Sequence, residues 1–222
     1  MRQDFGNNAA RRLGGWAGAA ALAAGLLMTP TPLQGPTASA ACPGAEVVFA
    51  RGREEPPGVG YVGGASVSAL QSKVRMPIAS YGVNYPADID PAKGATDMSA
   101  HVQSMAKSCP NTREVLGGYS LGAVAADLVI AETKPAFGFS NPLPPGADQH
   151  VAAVALFGNG TQRILGPVPG FSPAFAGKTI EVCAPGDPIC SGGDAHWSSH
   201  LQPSYINSGL VDQAASFAAG KL

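Results

Sequence analysis

The sequence predicts an α/β domain: a central, mostly parallel five-stranded sheet with helices on both faces. Three observations carry this expectation. Short β-branched or apolar runs alternate with stretches of helical apolar spacing from about residue 46 to the end of the chain. Strand–helix alternation of this kind implies right-handed crossovers between parallel neighbours. The run Val151 to Phe157 is apolar at every position, as for a strand covered on both faces. Neither an internal repeat nor a second domain stands out.

The elements read as follows. Glu46 to Ala50 is a buried strand. Ser66 to Val74 is a helix with Val67, Leu70 and Val74 on one face. Ser80 to Tyr85 is a second strand, closed by Pro86. Thr96 can cap a helix in which Met98, Val102 and Met105 recur at i, i+4 and i+7. Arg113 to Gly117 is the third strand, and Ala123 to Glu132 the helix after it. Val151 to Phe157 and Thr179 to Cys183 are strands four and five, and a last helix runs from about Ser208 to Ala218. Two Pro/Gly-rich segments, Pro135 to Gly146 and Gly166 to Gly177, carry Phe137, Phe139, Leu143, Val168, Phe171 and Phe175. Loops keep such residues out of water unless they pack or bind something.

Residues 1–40 read as a removed export signal. Arg2, Arg11 and Arg12 precede an uncharged apolar run from Leu13 to Met28, Pro30 and Pro32 break it, and Ala38-Ser39-Ala40 is an A-x-A cleavage site. The domain is then residues 41–222, enough for one full core. Its 11 basic and 14 acidic residues give a net charge of −3. It has no basic run, which argues against nucleic acid as a partner. All four cysteines, Cys42, Cys109, Cys183 and Cys190, lie in this part. An even count in an exported chain implies two disulfides. Three pairings are open; Cys183 and Cys190 bracket a tight loop, which pairs them and leaves Cys42 for Cys109. Closing the long loop stabilises by roughly 4 kcal/mol and the short one by roughly 2–3 kcal/mol. The spacing lacks the paired C-x-x-C of a zinc site. Asn159-Gly160-Thr161 matches a glycosylation sequon.

Chemistry centres on Gly118-Tyr119-Ser120-Leu121-Gly122. A strand turning sharply into a helix holds a serine out at the end of a sheet, and glycines on both sides supply room where the two backbones nearly touch. The next N–H points where an oxyanion would form. A serine hydroxyl needs a histidine to take its proton, and the histidine needs a carboxylate to fix its tautomer. The chain order for this arrangement is serine, acid, histidine. Of the seven acidic residues after Ser120, Asp187 follows the fifth strand inside the Cys183 to Cys190 loop, where a disulfide would hold it. His101 precedes the serine and His150 opens a strand. His196 and His200 both follow Asp187, and His200 runs straight into the closing helix.

These residues bring a family into view. The chain resembles the cutinase family of small α/β-hydrolases, in particular the cutinase-like exported esterases of actinobacteria. The resemblance rests on Val48-Phe49-Ala50-Arg51-Gly52, Asn84-Tyr85-Pro86-Ala87, Cys109-Pro110-Asn111-Thr112, Gly117-Gly118-Tyr119-Ser120, Val151 to Gly158 and Cys183 to Cys190. It implies Ser120 as nucleophile, Asp187 as acid and His200 as base, with the same disulfide pairing. It implies an oxyanion hole from the N–H groups of Leu121 and Arg53. It departs in two places: the family usually has Gln at the Leu121 position, and often Ser or Thr at that of Arg53. Loss of that hydroxyl donor implies slower turnover, on the order of 10²-fold. Arg53 could read an anionic group or pair with Glu54 or Glu55.

The implied activity is that of a secreted serine carboxylesterase, extracellular or in the cell wall. It would hydrolyse acyl esters through an acyl-serine intermediate, with no metal or organic cofactor. The loops around Pro142 to Pro144 and Phe171 to Phe175 would hold the acyl chain. An acyl ester or lipid is the expected partner, with transient contact to a lipid surface, and the chain is expected to act as a monomer. Lipase, phospholipase, thioesterase or acyltransferase chemistry could use the same triad. A non-catalytic cell-surface binding protein is the reading from another class.

Overall fold

The computed structural model describes residues 42–222; the export segment read over residues 1–40 lies outside them. Five strands, β1 (Ala45–Ala50), β2 (Ile78–Gly82), β3 (Arg113–Tyr119), β4 (Val151–Phe157) and β5 (Thr179–Val182), form one sheet in the order β2-β1-β3-β4-β5. Every neighbouring pair is parallel, so the sheet is wholly parallel. The longer helices are α1 (Gly60–Lys73), α2 (Pro91–Ser108) and α3 (Leu121–Ala131). Single-turn helices α4 (Gln162–Leu165), α5 (Val168–Phe171), α6 (Trp197–His200) and α7 (Pro203–Ile206) precede the closing α8 (Leu210–Ala219).

Strand alternation sorts the core into two layers. Val48, Ala50, Leu116, Val154 and Leu156 pack toward α2 and α3 with Met98, Val102, Ala126 and Val129. Val47, Phe49, Val115, Ala155 and Phe157 pack toward α1 and α8 with Val62, Leu70, Ala214 and Ala215. All seven residues of β4 are buried, as its unbroken apolar run requires.

Three elements depart most from the sequence reading; β1, β3, α3, β5 and α8 shift by only one or two residues at an end. Helix α1 begins six residues before Ser66, through Gly60, Gly63 and Gly64, a stretch that reads as loop. Gly63 is there for contact: a Cβ on it would lie 2.6 Å from Phe49 Cδ1. Tertiary packing overrides the poor helix propensity. Strand β2 starts and ends earlier than Ser80 to Tyr85. It stops at Gly82, where a Cβ would lie 2.3 Å from the Gly58 carbonyl carbon, and Asn84 N–H then donates to Asp97 Oδ2 at 2.8 Å. Helix α2 is capped not by Thr96 but by Asp90, which accepts from Ala92 N–H ahead of Pro91 at the first turn. Thr96 lies inside the helix and donates back to Ala92 O at 2.9 Å.

The two Pro/Gly-rich loops pack into the α2–α3 layer of the core itself. Phe139, Val168 and Phe175 are buried, and Leu143 and Phe171 pack against them. Their cavity, about 300 Å³, lies by the C-terminal turn of α3, at Val129 to Glu132. That is the far end of α3 from Ser120, so these loops do not hold an acyl chain at the serine. One acid in this face is costly: burial, then the charge of Glu46, push the Glu114 carboxyl up to about 8.

Candidate active site

In a parallel sheet all strands end on one edge, and the loops leaving that edge build the site. Four loops meet here. The turn out of β1 carries Arg51 to Pro56, the turn out of β3 carries Ser120, and the turns out of β4 and β5 carry Gly158 to Thr161 and Cys183 to Cys190.

Ser120 occupies the elbow between β3 and α3 with φ 54° and ψ −118°. A non-glycine residue at positive φ is strained. Its amide is tied to Phe157 O at 2.9 Å. The flanking glycines have no substitute: a Cβ on Gly118 would lie 2.2 Å from Gly122 O, and one on Gly122 would lie 2.0 Å from Ala50 O. The turn therefore pins the serine to β1 and β4 together.

The structure brings Ser120, His200 and Asp187 into one hydrogen-bonded line. Ser120 Oγ lies 2.8 Å from His200 Nε2, and His200 Nδ1 lies 2.7 Å from Asp187 Oδ2. With Nδ1–H donating to the carboxylate, Nε2 is left to accept from the serine hydroxyl. Asp187 is fully buried and His200 nearly so. Asp187 Oδ1 accepts from Ile189 N–H at 2.7 Å, and Oδ2 also accepts from the Tyr205 hydroxyl. The loop is closed by the Cys183–Cys190 disulfide, and the second disulfide joins Cys42 to Cys109. His196 does not reach the line. Its side chain is exposed, and its backbone N–H donates to Gly186 O at 2.8 Å.

Two tyrosines that sequence reasoning missed hold the histidine and the acid. Tyr119 donates to His200 O and stacks on the imidazole at 5.4 Å. Tyr205 packs edge-on against Tyr119 and Phe157. Burial pushes both phenols above their ordinary range, and the bond to Asp187 adds to the effect on Tyr205. Both therefore stay neutral donors. Tyr119 was visible as the second letter of the pentapeptide, but nothing local marks Tyr205 as a partner of Asp187.

The turn beside Ser120 is clamped from within. Arg51, buried, donates from Nε to Glu55 O at 2.8 Å and from Nη2 to Tyr85 O at 2.6 Å, with Nη1 at 3.3 Å from Val83 O. Glu55, also buried, accepts from Gly52 N–H at 2.6 Å and from Tyr61 N–H at 3.0 Å. Arg53 rides on this turn, and among the described residues no acceptor pairs with its N–H. The Arg53 side chain is mostly exposed and lies 3.4 Å from Glu54 Oε1, a surface pair worth little. Leu121 starts α3, where backbone N–H groups have no partner within the helix. Its side chain packs against the α2–α3 core instead of lining the cleft.

The cleft over Ser120 has a volume of about 480 Å³. Its walls include Arg53, Tyr61, Tyr119, Trp197, Leu201 and Gln202. Tyr61, Trp197 and Leu201 are large apolar side chains left exposed at its rim. Asn159 of the sequon match stands on the turn out of β4 with its side chain turned inward. It is buried, its Nδ2 donates to Asp127 Oδ2 at 2.7 Å and to Glu181 Oε1 at 3.2 Å, and its Oδ1 accepts from Thr161 N–H at 3.1 Å. Burial pushes the Asp127 carboxyl up to about 7 despite hydrogen bonds from Asn159 and Thr161, which lower it.

The family profile described as Cutinase matches residues 41–222. Among curated proteins, the chain is 58% identical over 217 residues to the "Probable carboxylesterase Culp2" of Mycobacterium tuberculosis, covering 93% of this chain and 94% of that one. It is 52% identical over 217 residues to the "Phospholipase Culp4" of the same species, covering 96% and 93%. Among solved structures, a Trichoderma reesei cutinase in complex with a phosphonate inhibitor aligns with a TM-score of 0.63 at 30% identity, over 81% of this chain and 76% of that one. The catalytic core of acetyl xylan esterase from Trichoderma reesei shares the fold at a TM-score of 0.69 and 23% identity, over 82% of this chain and all of that one (100%). By profile and by identity across nearly its whole length, the chain belongs to the cutinase family.

Proposed function

We propose that the chain is an exported serine carboxylesterase that hydrolyses acyl esters. The observation that carries the reading is the line from Ser120 Oγ to His200 Nε2 to buried Asp187, at 2.8 and 2.7 Å, opening into a cleft with apolar residues at its rim. His200 Nε2 takes the proton as Ser120 Oγ attacks the acyl carbon. The oxyanion so formed is held by the N–H groups of Leu121 and Arg53. His200 then protonates the departing alkoxide, which leaves as an alcohol. A water molecule, deprotonated by His200, attacks the acyl-serine; the bond to Ser120 Oγ breaks, His200 returns the proton to Oγ, and the acid leaves. Asp187 fixes the tautomer and stabilises the imidazolium. The relatives named carboxylesterase and phospholipase support the reaction class. The leader read over residues 1–40 and the two disulfides support an exported location. The exposed Tyr61, Trp197 and Leu201 support brief contact with a lipid surface.

The test is hydrolysis of a p-nitrophenyl acyl series together with labelling by a fluorophosphonate. Ser120→Ala and His200→Ala should each lower kcat by about 10⁴-fold or more with folding retained, and His196→Ala should not. Activity of Ser120→Ala near wild type, or no labelling of the wild type, would sink the reading and revive a non-catalytic role. Arg53 also supports a second substrate, a phosphorylated ester, because it sets a cation on the cleft wall. Hydrolysis of phospholipid vesicles that falls in Arg53→Thr, while p-nitrophenyl ester hydrolysis does not, would favour it.

A further inference from the structure

At the other end of the sheet from Ser120, three side chains form a cluster that the ester chemistry does not use. Glu46 on β1 and Glu114 on β3 are register partners on adjacent parallel strands, and both are buried. His101 reaches them from α2, with Nε2 at 2.7 Å from Glu46 Oε2. The three residues each offer one ligand atom, and these atoms lie within 4.8 Å of one another. Two carboxyls side by side on neighbouring strands repel if both ionise, and the one imidazole in reach bonds Glu46 and leaves Glu114 alone. Glu114 is the sharper anomaly. It is 1% exposed, and neither of its carboxylate oxygens has a hydrogen-bond partner among the described residues. A buried carboxyl without a hydrogen bond is costly in either protonation state, and a cation ligated there would remove that cost.

We propose that Glu46, His101 and Glu114 bind one divalent cation of the zinc class, as a structural site on the α2 face of the sheet. One imidazole and two carboxylates suit a borderline transition cation better than magnesium or calcium, which take oxygen ligands. The cation removes the repulsion between the two strands and gives Glu114 its missing partner. Ligands around a tetrahedral zinc stand roughly 3.3 Å apart, so His101 and Glu46 need separate by only about half an ångström. The ring of His101 is already oriented. Tyr81 stacks on it at 3.7 Å, and Tyr81 is itself fixed by donating to Asp97 Oδ2 at 3.0 Å. Three protein ligands leave a fourth position for water. The site takes no part in the ester reaction.

The experiment uses untagged protein, dialysed free of metal and titrated with Zn²⁺. The expected result is one Zn²⁺ per chain by equilibrium dialysis, with a melting temperature that rises as zinc is added. Glu114→Gln and His101→Gln should each weaken zinc binding at least 10-fold while circular dichroism and p-nitrophenyl ester hydrolysis stay as in wild type. If His101→Gln fails to fold, the isosteric Glu114→Gln decides alone. A wild type that binds no zinc at micromolar concentration overturns the proposal and leaves Glu114 a protonated core acid. Zinc binding that survives Glu114→Gln unchanged also overturns it, because the ion then sits elsewhere.

Discussion

Replacing Tyr205 by Phe separates what holds Asp187 from what packs around it. The ring stays, with its edge-on contacts to Tyr119 and Phe157. The hydroxyl goes, and with it the bond to Asp187 Oδ2 and the longer one it accepts from Ala184 N–H at 3.4 Å. A hydrogen bond to a charged group contributes about 1.5–3 kcal/mol. Asp187 is fully buried, so no water replaces the lost donor. It keeps His200 on Oδ2 and Ile189 N–H on Oδ1, which places the cost toward the lower half, about 2 kcal/mol. At about 2–4 °C per kcal/mol for a domain of this size, the melting temperature falls by roughly 4–8 °C. Urea unfolding read by circular dichroism gives the free energy, and p-nitrophenyl butyrate hydrolysis gives kcat. A fall in kcat of up to about 10-fold is expected, because the His200 bond remains. The decisive comparison is a double-mutant cycle with Asp187→Asn, which should cut the cost of losing the hydroxyl to below about 1 kcal/mol. A melting temperature within 1 °C of wild type would refute the reasoning; the disulfide and backbone alone would then hold the acid.

Gly122→Ala puts a Cβ 2.0 Å from Ala50 O, a backbone clash that cannot relax, so we expect little soluble protein and no ester hydrolysis; near-normal melting would mean the elbow is looser than described. Cys183→Ser with Cys190→Ser should cost about 2 kcal/mol of stability and lower kcat more than KM changes, because Asp187 loses its clamp; unchanged kcat would show that the loop holds its shape without it. Asp127 gives a pH effect. Its carboxyl titrates near 7 when folded and near 3.9 when unfolded, so the native state holds the extra proton between these values and stability falls as pH rises from about 4 to about 7. Asp127→Asn should flatten that decline by a few kcal/mol, measured by urea unfolding at pH 4.5 and 7.5; an unchanged slope would mean that Asp127 is ionised in the fold.

Legibility in the sequence followed how local each cause is. Strand β4 could be read to the residue because its burial on both faces leaves an unbroken apolar run. Ser120 was legible because the clash that demands Gly118 and Gly122 arises within one turn. Asp187 and His200 were marked by order along the chain and by the cysteines, and by resemblance. Tyr205 was not, since its meaning depends on the chain folding back onto the Cys183 to Cys190 loop. The start of α1 was hidden for the same reason: Gly60, Gly63 and Gly64 signal a loop, and only Phe49 beneath them explains a helix. The sequon match at Asn159 is a chance one, since three letters carry no information about burial. The aromatic loops were misplaced because apolarity shows that a residue is covered but not at which end of a helix.

The covalent tie across the Asp187 loop has a further consequence, one of timing. The elbow at Ser120 is held by non-covalent contacts and backbone sterics. The acid's loop is the part finished by chemistry. In a chain whose Cys183 and Cys190 are still reduced, Ser120 would stand at its elbow while Asp187, which bonds His200, is on an untethered turn. Full hydrolytic power would then wait on the closing of that one bond, after the rest of the site is already in place.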